Sequence, residues 1–501
     1  MPFQVNALEQ DALEVLSIVR SFKNSLAPVN RIPPEVLSLI PDYCEEHHAY
    51  QDTIRLTHVC RGWRDIFTSR PSLWTNLDCA DVDKTRTFIQ RSKSSPLDIC
   101  ARNIDDETYL DDALSLVIPH VPRLRSLSFY SDAIPDTLRN FSCHTPLLED
   151  LEIHISSPDT HTLDIPLLNG DLPSLRNLSL SADTIRLPQK NTSNLRVFNL
   201  SCARGGVTVT QILDFLESSP LLQKIGIVDS IPDSSDAPPE RIVPLRHVET
   251  LSITADTANY IFKHLRIPFG ASLRIWAAFR GEASPLLEYF RGTSPNTGNL
   301  SCITAANFSF EPNVKRAKLS GPSGSFCLSG WWDSLTIPST TMDDRIIHSV
   351  GPRILSTTEW LMISDYLRHN ITNIEQWPIF QTLLSTINLQ TIVLSRCENR
   401  LFISALNPEK NSSGVVLCPG LKKFTLFAES WGLTADVVDM AKTRALRGAR
   451  LSSLTIISLR TRVPETERLE LREHITQVEC MVETTFPPWH YLPDESGGRW
   501  G

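Results

Sequence analysis

The sequence predicts a protein of mixed α/β class, in which a small all-helical domain precedes a curved parallel sheet with helices on its outside. Three observations lead to this prediction. A proline-punctuated segment with helical apolar spacing occupies residues 28–80. After residue 120, a Leu-x-x-Leu-x-Leu pattern recurs at steps of roughly 20 to 30 residues. Apolar runs with helical spacing, such as the one from Val209 to Leu216, separate several of these copies.

The recurring pattern is clearest between residues 122 and 253, where proline often stands two places before its first leucine. The first positions of these copies are Leu124, Leu148, Leu175, Leu195, Leu222 and Val248. In such a strand the leucines point into a shared interior that only the neighbouring copies can cover, so the array folds as a stack. This period and strand core predict a leucine-rich solenoid whose parallel sheet lies on the concave side.

The pattern becomes degenerate after residue 270. We assign further copies at Leu273, Trp276 and Ala278; at Leu300, Ile303 and Ala305; in half form at Leu335 and Ile337 and at Leu361 and Ile363; and in full at Leu389, Ile392 and Leu394, at Leu421, Phe424 and Leu426, and at Leu451, Leu454 and Ile456. Divergent repeats are therefore predicted over residues 121–480. A linker and N-terminal cap would occupy residues 81–120, and a flexible Pro- and Gly-rich tail residues 481–501.

An amphipathic helix is predicted over residues 1–27. Its apolar positions alternate between three and four residues apart: Val5, Leu8, Ala12, Val15, Val19, Phe22 and Leu26. Because three heptads are marginal for an isolated coiled coil, we expect this helix to pack on its own domain. The alternative is a short helix for dimerisation or for a partner.

The segment from residue 28 to residue 80 has its own start and stop signals. Pro28 ends the first helix, and Pro33 and Pro34 suit the first turn of the next, where Glu35 favours the positive end of the helix dipole. A later apolar helix carries Val-Cys-Arg-Gly-Trp-Arg, and Pro-Ser-Leu-Trp closes the segment. So short a segment cannot bury two tryptophans and several leucines alone. It therefore packs on the rest of the chain or offers an apolar face to another protein.

Composition and charge exclude several classes of function. The net charge of -9 argues against a general nucleic-acid binder, which needs clustered Lys and Arg. The one basic stretch, residues 315–318, is expected to be a solvated loop rather than a nuclear signal. No apolar run approaches the ~20 residues of a membrane helix. The N-terminus lacks the apolar core of a signal peptide, so we expect a cytoplasmic or nuclear protein without a membrane partner.

No pattern in the sequence indicates catalysis, a cofactor or a metal. The 11 cysteines are scattered and form no C-x-x-C, which argues against a disulfide framework or a zinc ribbon. Zinc could be held by residues whose spacing matches no standard site: Cys44, His47, His48, His58 and Cys60. Phosphate-binding loops, H-E-x-x-H and G-x-S-x-G are absent from the sequence. The glycine-rich residues 321–325 are expected to be a loop between repeats.

With its Ile-Pro-Pro-Glu start, its Val-Cys-Arg-x-Trp-Arg helix and its Pro-Ser-Leu-Trp close, the segment 28–80 resembles an F-box. The order of domains is similar to that of the expanded F-box family of mushroom-forming (basidiomycete) fungi. This resemblance implies a non-catalytic substrate receptor of a ubiquitin ligase. Its F-box would dock on a Skp-type adaptor, and through it on cullin and RING subunits, while the repeats bind the target protein. The alternative is a leucine-rich-repeat scaffold acting outside a ubiquitin ligase.

The resemblance also implies which residues dock on the adaptor. The implied face is Ile32, Pro33, Glu35, Val36, Leu37, Ile40, Leu56, Val59, Cys60, Trp63 and Trp74. The chain departs from the family pattern by a longer stretch between the first two helices, from Asp42 to Asp52.

Target binding is predicted on the outward positions of the strands, because solenoids use their extended concave surface for binding. In the early copies these positions are polar: Asp150, Glu152, His154, Asn177 and Ser179. In the later copies we predict a substrate-binding set with exposed aromatic side chains, which interfaces favour: Phe279, Trp360, Met362, Lys423 and Phe427.

Overall fold

The computed structural model describes residues 2–40, 49–101, 107–131, 137–138, 141, 144–155, 162–163, 168, 170, 172–182, 184–188, 192–201, 207–228, 230, 241–268, 270–279, 305–310, 314–321, 324–332, 357–364, 388–395, 399–411, 414–428, 434–458 and 463–482. These residues form helices and a large, mostly parallel sheet, as the predicted α/β class requires. The chain divides into two compact units. The first is Met1–Val207 with Ser218–Leu221, and the second is Thr208–Glu217 with Leu222–Gly501.

The first unit opens with one long helix and several shorter helical elements. They are α1 (Pro2–Ser25), a 3-10 turn (Pro28–Arg31), α2 (Pro34–Leu37), α3 (Ala49–Thr57), α4 (Arg61–Thr68) and a second 3-10 turn (Pro71–Trp74). α2 starts with Pro34 and has Glu35 in its first turn, as the sequence predicts.

Parallel strands follow directly. In pairing order they are β1 (Asn76–Asp78), β2 (Leu97–Ala101), β3 (Leu124–Ser131), β4 (Asp150–Ile155), β6 (Asn177–Ser181) and β8 (Val197–Ser201). Helices α5 (Val82–Ser92) and α6 (Glu107–Val117) connect the first three, and β5 (Thr162–Leu163) pairs separately with β7 (Thr184–Ile185). Residues 81–120, predicted as a linker and cap, thus carry a strand and two helices of this region, because β1 and β2 lack the Pro-x-Leu start of the later copies.

One row of apolar side chains crosses these strands. Paired residues bring together Leu77, Ile99, Leu127, Leu151, Leu178 and Phe198, and all of them are buried. The first positions of the copies, from Leu124 to Leu195, are buried as well. The pattern leucines of these copies are therefore buried, as the sequence predicts.

The second unit continues with the same mixture of elements. Its helices are α7 (Val209–Ser218), α8 (Ala255–Ile261), α9 (Asn399–Leu406), α10 (Thr434–Leu446) and α11 (Glu465–His474). Its paired strands are β9 (Lys224–Val228), β11 (Thr250–Thr254) and β13 (Ser272–Phe279), and further along β17 (Trp360–Ser364), β18 (Thr391–Ser395), β19 (Lys423–Ala428), β20 (Ser453–Ser458) and β21 (Gln477–Val482). β10 (Val243–Pro244) pairs separately with β12 (Leu265–Arg266).

An antiparallel meander interrupts the parallel strands of this unit. It consists of β14 (Ala305–Phe310), β15 (Val314–Gly321) and β16 (Gly324–Trp332), with β16 parallel to β13 and β14 parallel to β17. The basic residues 315–318, predicted as a solvated loop, lie in β15, where each of them pairs with a residue of β14 and a residue of β16. Gly321 ends β15, Gly324 begins β16, and the two residues pair, so these glycines lie within the meander rather than in a loop between repeats.

The predicted register was wrong at two copies. Leu273 pairs with Leu251, and Ile275 pairs with Ile253, so Trp276 and Ala278 do not occupy the second and third template positions. In β14, Phe308 rather than Ala305 pairs with Ile363, the third template position of the next copy. Both errors arise because a slip along a strand exchanges its faces and leaves the local composition unchanged. Residues 300–304 and 335–337 lie outside the described residues.

In the described part of the chain, no helix has the length and apolar character that crossing a membrane requires.

Candidate functional site

Residues 28–40 and 49–80 pack around a compact apolar cluster. Leu37 of α2 and Trp63 and Phe67 of α4 are buried at its centre. Partly buried residues pack against them: Ile32, Ile40, Leu56, Cys60, Ile66 and Leu73. The rings of Trp63 and Phe67 meet edge to face, with centroids 5.5 Å apart, a preferred aromatic geometry.

Hydrogen bonds fix the elements around this cluster. The indole Nε1 of Trp63 donates to the Asn30 Oδ1 at 2.6 Å, which ties α4 to the first 3-10 turn. The Arg64 Nε donates to the Thr57 carbonyl at 3.0 Å, which joins the ends of α3 and α4. A buried indole normally needs such a partner, so Asn30 and Trp63 are matched parts of one core.

Trp74 joins this domain to the strands that follow it. Its Nε1 donates to the Phe67 carbonyl at 3.0 Å, and its ring meets Phe88 of α5 edge to face at 4.9 Å. The Arg91 guanidinium lies 4.2 Å from the centre of the same ring, a cation–π distance. Trp74 is fully enclosed by these contacts.

The residues implied for adaptor docking fall into three environments. Leu37, Trp63 and Trp74 are buried, and Ile32, Ile40, Leu56 and Cys60 are half-buried. The exposed ones are Pro33, Glu35, Val36 and Val59, and the valines are 51% and 55% exposed. The outer residues can touch a partner directly, whereas the buried ones shape the surface from within.

Two further exposed apolar residues lie in the same segment and are absent from the predicted docking set. Val29 and Leu39 are 41% and 47% exposed. Leu39 lies just past the end of α2, three residues after Val36, and its backbone N–H donates to the Val36 carbonyl at 3.1 Å. Val36, Leu39 and Val59 each adjoin a residue of the apolar cluster in sequence: Leu37, Ile40 and Cys60.

The N-terminal helix differs from what we expected. Side chains along α1 and just after it are between 43% and 67% exposed: Leu13, Val15, Leu16, Ile18, Val19, Phe22 and Leu26. The Arg61 guanidinium donates to the Ser17 hydroxyl, which places another side of α1 against the domain. The prediction that the apolar seam packs on its own domain is therefore wrong, because the contact is made by the polar face.

A polar sheet face lies on the first unit. The Arg125 guanidinium pairs with the Asp98 carboxylate. The Tyr130 and His154 rings stack in parallel planes with centroids 4.7 Å apart, and Nε2 of His154 lies 3.5 Å from a Glu152 carboxylate oxygen. These outward positions alternate with buried ones, as the period of a strand requires.

The substrate-binding residues predicted in the second unit are only partly presented. Trp360 is half-buried, Lys423 is exposed, and both pair with Thr391, so they occupy one register row. Met362 and Phe427 are only 4% and 6% exposed, which corrects the expectation that they face solvent. Alternation alone cannot show whether another part of the fold covers an outward position. The backbone of Phe279 ends β13, and its side chain lies outside the described residues.

The Cys79 thiol is held in its protonated form. Cys79 is fully buried, and burial, with Asp78 and Cys100 nearby, raises the pKa of its thiol to about 12. A thiol held protonated is a poor nucleophile and a poor metal ligand. Among the described residues, no three His, Cys, Asp or Glu side chains group together as a metal site would require. Of the zinc candidates, Cys44, His47 and His48 lie outside those residues.

Comparison with protein families identifies the domain built around this cluster. Residues 29–80 match the F-box-like family model, which confirms the F-box predicted at residues 28–80. No curated protein matches the chain. F-box domains generally bind Skp-type adaptors, and F-box proteins are typically non-catalytic substrate adaptors of ubiquitin ligases.

Proposed function

We propose that this chain is the substrate-recognition subunit of a Skp–cullin–F-box type ubiquitin ligase. The F-box-like domain docks on the Skp-type adaptor, which connects it to the cullin and RING subunits. The strands and helices of the remaining chain bind the target protein. The observation that carries this proposal is the F-box-like domain at residues 29–80, with its buried cluster bordered by exposed apolar residues.

Docking requires an apolar surface that stays exposed in the free protein. Val36 and Val59 meet this requirement, and the buried Leu37 and Trp63 hold the backbone that presents them. Interface energy is concentrated in a few central residues, so losing two of them weakens binding strongly. Leu37→Asp is a poor test, because a charge in the core would unfold the domain.

The adaptor experiment therefore uses the double variant Val36→Asp/Val59→Asp in the full chain, with binding to a purified Skp-type adaptor measured by calorimetry. We expect affinity to fall by about a thousandfold, since two hot-spot residues at ~2 kcal/mol each together contribute ~4 kcal/mol. Val415→Asp is the matched control, because Val415 is 53% exposed in the second unit. Equal affinity of the double variant and the wild type would exclude this docking surface.

For target binding, we propose a leucine-rich solenoid that uses its outward strand positions. Buried rows such as Leu127, Leu151 and Leu178, at a step typical of leucine-rich repeats, support this reading. In such an array, parallel strands present a continuous row of side chains to a partner. Trp360 and Lys423 form the accessible pair of the predicted set, on adjacent register positions across Thr391.

The target experiment compares proteins captured by the wild type and by Trp360→Ala/Lys423→Ala, with quantitative mass spectrometry as the readout. We expect specific partners to be lost while the Skp-type adaptor is retained. Lys442→Ala, at an exposed position of α10, is the control. An unchanged set of partners would move the target site away from this row. Capture of targets without any adaptor binding would favour a scaffold outside the ligase.

A further inference from the structure

The apolar stripe of α1 faces away from the domain that it precedes. Because successive residues of a helix are turned by about 100°, Val15, Ile18, Val19, Phe22 and Leu26 fall within an arc of about 100°. Ser17, which accepts a hydrogen bond from Arg61, lies on nearly the opposite side. Soluble monomers rarely expose a contiguous apolar patch of more than a few hundred Å², so this stripe calls for a partner.

The spacing of the stripe is that of a coiled coil. In the heptad notation abcdefg, Val19 and Leu26 take position a, and Val15 and Phe22 take position d. The same count places Ala12 at a, and Val5 and Leu8 continue the series towards the N-terminus. Residues at e and g then flank the seam and decide which helix can pair with it and in which direction.

We propose that two copies of this chain associate through α1, as an antiparallel two-helix coiled coil. In an antiparallel pair, e positions face e positions. Glu9 of each copy then lies beside Lys23 of the other, and this pair occurs twice about the two-fold axis. At the axis itself, Leu16 meets Leu16 of the second copy, and Ile18 meets its own equivalent across the g positions.

Side-chain volumes in the seam favour the same direction. Antiparallel packing sets position a against position d, so Phe22 lies opposite Ala12 of the second copy, and Val15 lies opposite Val19. Each layer then has a similar total volume, as close packing requires. A parallel pair would instead set Phe22 against Phe22 and Ala12 against Ala12, which would overpack one layer and leave a cavity in the other.

The flanking charges also disfavour a parallel pair. There, e faces g, so Lys23 would lie beside Ile18 of the second copy, and Asp11 beside Leu16. Each charge would lose hydration without gaining an opposite charge. The sequence of α1 is therefore complementary to itself in one orientation. The resulting dimer would carry two F-box-like domains, and so two receptors in one assembly.

The first test is charge reversal, measured by sedimentation equilibrium of the full chain. Glu9→Lys and Lys23→Glu each turn two attractive pairs into repulsive ones, and we expect the dimer dissociation constant to rise about tenfold. The double variant Glu9→Lys/Lys23→Glu restores the pairs and the affinity. Glu14→Lys, outside the seam, is the matched control and leaves the dimer unchanged.

The second test fixes the direction with disulfides. Val15→Cys and Val19→Cys proteins, one of them carrying a size tag, are mixed and mildly oxidised. Antiparallel packing links the introduced thiol of the first variant to that of the second, and each variant alone stays uncrosslinked. Wild type reports the background from the native cysteines. A chain that remains monomeric at high concentration would overturn the proposal. So would crosslinking of each variant with itself, or a double charge variant that fails to recover.

Discussion

α1 and α4 carry the same kind of apolar spacing and put it to opposite uses. Trp63 and Phe67 of α4 are buried, because α2, α3 and the 3-10 turns fold back over them. Val19 and Phe22 of α1 stay exposed, because that helix meets the domain through Ser17 on its polar side. Apolar periodicity thus fixes which face of a helix is apolar, whereas its neighbours decide whether that face is core or surface.

The lengths of the helical elements explain this difference in burial. Between Pro28 and Trp74 the described chain forms elements of only four to nine residues, three of which begin at a proline, and these can close around one another. α1 has 24 residues and therefore extends about 36 Å without a break. A straight rod of this length cannot wrap around a cluster as small as the one at Trp63.

The largest expected effect is from Trp63→Ala, which should open the cluster. Truncation leaves a cavity and removes the indole donor from Asn30, so we expect the domain to lose about 4 kcal/mol of stability. Hydrogen exchange in the full chain, followed for amides of α3 and α4, measures this local loss. Unchanged protection there would show that Trp63 contributes no more to the core than the exposed residues of α1, and would contradict the distinction between α4 and α1.

A second prediction concerns the Cys79 thiol, which lies on the inward side just after β1. Its pKa of about 12 exceeds the ordinary value of 9.0, so its thiolate fraction near neutral pH falls by roughly a thousandfold. Alkylation in the native protein, followed by mass spectrometry, should leave Cys79 unmodified. Unfolding in urea should remove the protection. Rapid native labelling would mean that this side of the domain opens readily.

Trp74→Phe should have an intermediate effect. It keeps an aromatic ring against Phe88 but leaves the Phe67 carbonyl without its indole donor. We expect a loss of about 2 kcal/mol, the cost of one buried unsatisfied group. Arg91→Met, which removes the cation over the ring, serves as the milder comparison at about 0.5 kcal/mol. Hydrogen exchange in the second 3-10 turn and α5 reports both, and equal losses would contradict this ranking.

The smallest effects are expected on the exposed side. Val59→Ser and Val19→Ser should each change the stability of their own chain by less than about 0.5 kcal/mol, as is usual at exposed positions. Their thermal unfolding, at concentrations low enough to keep the chains monomeric, should superimpose on that of the wild type. A clear loss of stability on mutating Val59 would assign this residue to the core rather than to the exposed surface.

The sequence predicts much of the parallel sheet, because its signal is local. Each copy brings its own leucines within a few residues, and Leu151, Leu178 and Leu200 are buried as expected. The meander was missed because β13 pairs with β16 from more than fifty residues away, a contact that no local pattern encodes. The register at Leu273 failed for the same reason, since only the neighbouring strand fixes it.

The candidate site shows the same limit. The F-box was predictable from short motifs, and its family match covers nearly the predicted range. Which of its residues are accessible depends on how the helices pack, and this places Val36 outside and Leu37 inside although they are adjacent. In the sheet, Met362 and Phe427 stand at predicted outward positions and are buried nonetheless, because alternation along a strand does not show which positions the rest of the fold covers.

The antiparallel meander leaves the direction of the surrounding parallel strands unchanged. β15 runs against both β14 and β16, so the direction of the chain reverses twice between β13 and β17, and the two reversals cancel. The strands after it consequently run the same way as those before it. If a single strand of opposite direction were inserted and the next strands paired parallel to it, all of those later strands would run in the opposite direction. An insertion of this kind can therefore lengthen a parallel array while leaving the orientation of all its other strands intact.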